Sequence, residues 1–418
     1  MELSELRLSK IHLSQLECPL EDLPGHIEKQ LSRLEKSIRT GMRVGVAVGS
    51  RGINNIALIA KTAVDCLKRY GADPFIFPAM GSHGGATAEG QRAVLASYGV
   101  DAERMGVPVL SNMDVVPIGS TGGHPDIPAF MDINAWQSDG VLVINRVKPH
   151  TDFHGPHESG IVKMLTVGLG KDRQAVLVHQ YGVTGLRDEI PRVSRKVIES
   201  GKILGALAIL EDGYDNTSDI VLAVGSEEIF EVDRQLLTRS RASMARLPFG
   251  RIDVLVVDCM GKNFSGTGLD PNVIGRFCLR GQPDTEPDCG RIVTLDLSDE
   301  SHGNAIGIGL SDVVTRRLTE KIDWQATNMN VVTSGFLERG FLPMVCDTDR
   351  QSVEIALKTC GVHTPDTIRF ARIKNTLELN ELWLSPALVT EIPEGLNLGE
   401  TAPTQPLSFD EKGRIAAF

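Results

Sequence analysis

Apolar positions along the chain alternate between two spacings. Leu6, Leu8, Ile11 and Leu13 suggest an early strand. Between residues 24 and 39, Ile27, Leu31, Leu34 and Ile38 recur three and four residues apart and mark one face of a helix. Residues 44–48 form a short apolar strand, followed by the loop Gly49-Ser50-Arg51-Gly52 and a helix over 53–70 that Gly71 stops. The rhythm then repeats. Residues 74–80 read as a strand, 81–85 as a glycine loop, and Thr87 as the N-cap of a helix reaching about Tyr98. Strands near 107–120 follow, and the β-rich run 140–147 leads into the loop 148–159. Helices are expected over 160–166, 172–180 and 184–200, and buried strands over 203–210 and 220–224.

A second unit of the same kind starts near Arg251, with strands over 253–257, 292–297 and 368–373 and helices over 312–322 and 349–360. Strands alternating with helices predict two α/β domains with mainly parallel sheets and a site in the cleft between them. The expected boundaries are 1–248 for an N-terminal domain that carries the chemistry and 249–392 for a domain that closes over it. The Pro/Gly/Thr-rich tail, 393–418, is expected to dock back on the first domain.

Composition narrows the function classes. The 418 residues suit two or three domains of about 100–200 residues each. A hydrophobic share of 41% supports sizeable cores and excludes disorder as the dominant state. Lys and Arg number 43 against 54 Asp and Glu, a net charge of −11, so no basic footprint exists for nucleic acid or an anionic membrane. Aromatics at 5% argue against a base-stacking platform. Seven cysteines without a CxxC pair read as reduced thiols. No apolar run of about 18 residues and no basic–apolar leader occurs, which places the protein in the cytoplasm as an expectation. Oligomeric state is not legible.

In parallel α/β sheets ligands bind beyond the carboxyl ends of the strands. Four polar, glycine-bearing loops follow apolar strands: 49–52, 81–85, 148–159 and 261–272. Arg51 ends one of those strands, a natural bidentate partner for a carboxylate or phosphate. His83 stands among glycines. The loop Lys148-Pro149-His150-Thr151-Asp152-Phe153-His154-Gly155-Pro156-His157-Glu158-Ser159-Gly160 holds three histidines, an aspartate and a glutamate, suited to acid–base work or metal ligation. Lys163 follows among apolar neighbours, and His179 ends the run Val176-Leu177-Val178. Nucleotide signatures are missing, since Gly168-Leu169-Gly170-Lys171-Asp172 fails as a P-loop, and no GxSxG or HExxH occurs.

These motifs, in this order, resemble the lactate racemase family of nickel-pincer enzymes. The resemblance rests on Gly81-Ser82-His83 with Thr87 and Glu89, on Pro149-His150, on Ser159-Gly160 before Lys163, and on His179 sixteen residues beyond that lysine. It covers most of residues 40–185 and, more weakly, 253–276.

The resemblance implies a pyridinium nucleotide cofactor with two sulfur arms, one joined to Lys163 as a thioamide, and a nickel ion held by the cofactor and His179. It implies His83 and His150 as the paired acid–base groups on the substrate hydroxyl, with His154 as a rival to His150. Ser50, Ser159 and Gly160 would line the cofactor. Arg51, Asn272 and Arg276 would hold the substrate carboxylate. The implied activity is racemisation or epimerisation of a 2-hydroxy acid by reversible hydride transfer, with separate maturation enzymes supplying the cofactor. Val48 stands where the family has aspartate, and Gly84-Gly85 replaces an Arg-Pro pair, which points to a 2-hydroxy acid other than lactate, such as a hydroxy-diacid or sugar acid. Two other readings remain: a hydrolase with zinc held by His150, Asp152, His154 and His157, and a non-catalytic hydroxy-acid or cofactor-binding protein.

Overall fold

The computed structural model describes residues 1–49, 52–394, 396 and 398–418. The chain is mixed α/β with mainly parallel sheets and divides into two compact units. One unit is Leu16–Met244, and the other joins Met1–Gln15 to Ala245–Phe418. This corrects the expected boundaries. The first strand, β1 (Arg7–Leu13), and the tail both belong to the C-terminal unit. Strand partners, not sequence proximity, decide the matter. β1 lies inside a nine-stranded sheet, so both of its edges find backbone partners far along the chain.

The N-terminal unit is built on a five-stranded sheet. Its strands are β2 (Arg43–Val48), β3 (Asp73–Pro78), β6 (Gly140–Arg146), β7 (Ile203–Glu211) and β8 (Thr217–Ala223), in the order β3-β2-β6-β7-β8. All neighbours run parallel except β7 and β8. A separate hairpin pairs β4 (Val115–Ser120) with β5 (Pro128–Asp132), and only its first strand falls in the expected 107–120 region.

The sheet is buried on both faces, as its continuous apolar strands demand. Val44, Val46 and Val48 of β2 face one core with helices α1 (Leu23–Leu31) and α2 (Ile56–Arg69). Ala47 of β2 with Val141 and Val143 of β6 faces the other. Helix α3 (Ala88–Ser97) opens as expected, with the Thr87 side chain accepting from the Gly90 N–H at 3.0 Å. The chain then forms a single turn, α4 (Ile161–Lys163), a π-helical turn (Met164–Gly168), α5 (Lys171–His179) and α6 (Ile190–Glu199). An unanticipated eighteen-residue helix, α7 (Ser226–Ser243), covers the second core with Ile229, Leu236 and Leu237.

In the C-terminal unit, β9 (Arg251–Val257), β10 (Asp288–Thr294), β11 (Val313–Thr315), β12 (Met344–Cys346) and β13 (Phe370–Ile373) are parallel. β14 (Glu381–Leu384) turns antiparallel and joins β1, which also pairs with β15 (Leu398–Thr401) and β16 (Gln405–Pro406). The helix expected over 312–322 shrinks to Arg316–Glu320, because the β-branched Val313 and Val314 add a strand to the sheet. Among the described residues no helix is long and apolar enough to cross a membrane.

Candidate active site

The parallel neighbours β3, β2 and β6 end at one edge of the N-terminal sheet, and their loops crowd together there. Glycine is what permits the crowding. A Cβ on Gly49, just past β2, would lie 2.5 Å from Asn145 Oδ1 at the end of β6 and 3.2 Å from Met164 Cε. One on Gly81, past β3, would lie 2.9 Å from Val167 Cγ1 and 3.3 Å from Ala175 Cβ. Gly49 and Gly81 therefore press against the segment that carries Lys163 and His179. Ser50 and Arg51, expected to bind cofactor and substrate, lie outside the described residues. Half-buried His83 starts a tight turn in which Gly84 and Gly85 take positive φ (63° and 66°). A side chain on Gly84 would strike the Gly90 and Gln91 backbone at 2.4–2.5 Å.

The histidine loop after β6 is closed by two backbone bonds between Lys148 and Ser159, at 2.8 and 3.1 Å. Buried Glu158 organises it from within. Its carboxylate accepts from the His150 N–H (2.7 Å), the Gly155 N–H (2.9 Å), His154 Nδ1 (3.1 Å) and Arg241 of α7. His157 gives its Nδ1–H to buried Asp233 of α7 at 3.0 Å, with its ring edge-on to Phe230. His150 is also buried. Its ring lies 4.7 Å from that of Phe153, its Nδ1 accepts from the Asp152 N–H at 3.0 Å, and its Nε2 meets the Lys163 ε-amine.

Asp233 holds more than a histidine. Its Oδ1 accepts from the N–H groups of Ile161 (2.5 Å) and Val162 (3.3 Å), buried donors at the start of α4 that have no acceptor within the helix. The turn that presents Lys163 is thus capped from another helix. Gly160 is the N-cap because a Cβ there would sit 2.1 Å from Asp233 Oδ1. The Asn145 side chain fixes the same corner, donating to the Gly160 carbonyl at 3.0 Å.

His179 closes α5, half-buried, and its Nδ1 bonds the Ala175 carbonyl at 2.6 Å. A carbonyl only accepts, so Nδ1 carries the proton and the lone pair lies on Nε2. This is the usual preparation of an imidazole ligand. The helix is anchored at its other end by Lys171, which is fully buried and left-handed (φ 56°). Its amine donates to the Pro78 carbonyl and to Gln91 Oε1 (3.0 Å) and lies 3.0 Å from Asp132 Oδ2. Burial pushes the Lys171 amine down and the Asp132 carboxyl up, each opposed by the other's charge. The lysine that fails as a P-loop residue therefore ties α5 to β3, α3 and β5.

In the C-terminal unit, Arg276, expected to hold the substrate carboxylate, has partners within its own unit. Its guanidinium is spent on Asp312 (2.6 Å) and on the carbonyls of Cys289 (2.6 Å) and Leu310 (3.2 Å), pinning the start of β11 to β10. Asn272 lies in the first turn of Pro271–Ile274, with Nδ2 3.0 Å from Asp270 Oδ1.

The four side chains of the zinc reading do not converge on one point: His154 turns its Nδ1 to Glu158, His157 turns its Nδ1 to Asp233 of α7, and both His150 nitrogens are engaged. Among the described residues no three His, Cys, Asp or Glu side chains gather as a metal site. A cofactor that brings most of the metal's ligands itself asks less of the chain. It needs one oriented imidazole, an amine to join, and backbone that lets it approach. His179 and Lys163 fit the first two needs, while the glycines at 49, 81 and 160 are taken up by contacts with Asn145, Val167 and Asp233.

No family model and no curated protein matches this chain. Solved structures similar in fold include the following two. A Thermotoga maritima protein solved as a structural-genomics target is 16% identical, with a TM-score of 0.50 over 67% of this chain and 71% of that one. The lactate racemase apoprotein from Thermoanaerobacterium thermosaccharolyticum is 12% identical, with a TM-score of 0.51 over 83% of this chain and 91% of that one. The chain is thus similar to lactate racemase in fold, a two-domain, mixed α/β architecture.

Proposed function

We propose that this protein is an isomerase that inverts a hydroxyl-bearing carbon of a 2-hydroxy acid, using a nickel-pincer pyridinium nucleotide held by Lys163 and His179. The observation that carries the reading is the junction itself. On a lactate racemase-like fold, the Lys163 amine meets His150 where Gly49 and Gly81, just past β2 and β3, pack against the segment that carries Lys163 and His179. When bound, such a group supplies a reversible hydride acceptor, which no side chain provides.

The chain's own residues do the rest. Lys163 tethers the group, and His179 offers Nε2 to the metal. His83 and the histidine loop move the hydroxyl proton. His154, with Nδ1 on Glu158 and the lone pair left on Nε2, is set as a base; His150 in its present hydrogen bonds is not. Arg51 is the proposed carboxylate anchor.

The test is a panel of single enantiomers of 2-hydroxy acids, including hydroxy-diacids and sugar acids. Each is incubated with protein co-expressed with pincer-cofactor maturation enzymes and followed by chiral chromatography. Appearance of the opposite configuration with the wild type and not with Lys163→Ala is expected. Binding of a hydroxy acid without inversion would replace this reading with that of a non-catalytic binding protein.

A further inference from the structure

We infer that Lys163 stands as a neutral amine in the unmodified chain, kept so by His150, and is thereby ready to be acylated. The inference deepens the reading above but stands on hydrogen-bond donors and acceptors alone. The Asp152 N–H points at His150 Nδ1 (3.0 Å), and a backbone N–H can only donate, so Nδ1 holds a lone pair. Imidazole then keeps its single proton on Nε2. That nitrogen faces Lys163 Nζ, so Nε2–H donates and Nζ accepts. An ammonium has no lone pair with which to accept, so the lysine is the free base.

The surroundings hold the ring in this orientation. Glu158 Oε2 fixes the His150 backbone at 2.7 Å, and Phe153 flanks the ring. Among the described residues, the charged groups near the pair include the Asp152 carboxylate, 3.7 Å from Nδ1, and Glu158 with its partners Arg241 and His154. Asp233 aims the lysine by capping its helical turn.

An ordinary lysine, with a pKa near 10.4, is neutral in about one molecule in 2,500 at pH 7. Lys163 exposes its lone pair by giving up the hydrogen bond from His150. With a thiocarboxylic acid the step balances without a redox partner. The N–C bond forms and the C–O bond breaks. The oxygen leaves as water with one amine proton and the thiol-acid proton, and a thioamide remains.

The test needs neither nickel nor cofactor. The full-length apoprotein is treated briefly with the N-hydroxysuccinimide ester of acetic acid from pH 6 to 10. Acetylation at Lys163 and at exposed Lys36 and Lys358 is then quantified by peptide mass spectrometry. The Lys163 rate is expected to level off at a midpoint at least two pH units below the exposed lysines, about a hundredfold more free amine at pH 7. His150→Phe should move that midpoint up to theirs. His150→Gln, which keeps an N–H donor near Nε2, should restore most of the shift, with circular dichroism checking the fold of both. A Lys163 profile that climbs with the exposed lysines through pH 9–10, or one that His150→Phe leaves unchanged, overturns the inference. Nickel loading on maturation is read separately, so the inference and the proposed activity can fail independently.

Discussion

Replacing Lys163 by alanine should cost the fold little, because the side chain is half-buried and α4 is held by Asp233 through backbone groups. The expected outcome is a chain that unfolds at the wild-type urea midpoint but takes up no cofactor. Asp233→Ala should behave in the opposite way. It leaves the His157 Nδ1–H and two backbone N–H groups buried without an acceptor, a loss of about 3 kcal/mol or more measurable by urea unfolding. The contrast marks what was legible residue by residue. His83, His150, Lys163 and His179 stand out because they sit in glycine-flanked loops or end an apolar run. Asp233 lies in the middle of a helix with no motif around it, and only the fold reveals which donors it faces. Arg276 likewise has a partner that the sequence does not announce, Asp312.

At the scale of elements, most strands and helices of the N-terminal unit can be read from periodicity, while β5 and α7, the helix that supplies Asp233 and Arg241, cannot. Its polar and charged positions serve buried partners, which blurs the apolar stripe that would announce it. Crowding of α4 against α7 gives a test. Gly160→Ala places a methyl carbon on Asp233 Oδ1 and should destabilise by about 1–3 kcal/mol, with loss of cofactor uptake as the Lys163 turn shifts. The anchor of α5 gives another. Lys171→Met strands the buried Asp132 carboxylate and should cost about 3–5 kcal/mol at neutral pH. Burial already raises the Asp132 pKa, so the folded form binds its proton more tightly than the unfolded chain. The deficit should therefore be small at low pH and grow as pH rises through the Asp132 titration. Urea midpoints from pH 4 to 8 measure it, and Asp132→Asn in the same chain should recover much of the loss.

Across the whole molecule, the fold class was legible and the assignment of the termini was not. Alternating strands and helices determine parallel α/β layers, but a terminal strand such as β1 carries no sign of which sheet it will complete. Deleting residues 1–13 should consequently weaken the C-terminal unit, since β14 and β15 lose their shared neighbour. Limited proteolysis is expected to degrade fragments from 245–418 first while 16–244 persists. The net charge of −11 describes the molecule and not the junction, where Lys163 meets His150 of the histidine loop. The central claim is that Lys163 and His179 hold a nickel-bearing group, and intact mass combined with nickel content tests it most directly. After co-expression with cofactor-maturation enzymes, the account predicts about one nickel per chain and a mass adduct that maps to Lys163. Nickel should be lost in His179→Ala, and both nickel and adduct in Lys163→Ala. A protein that inverts a 2-hydroxy acid with Lys163 unmodified and no nickel bound would contradict it.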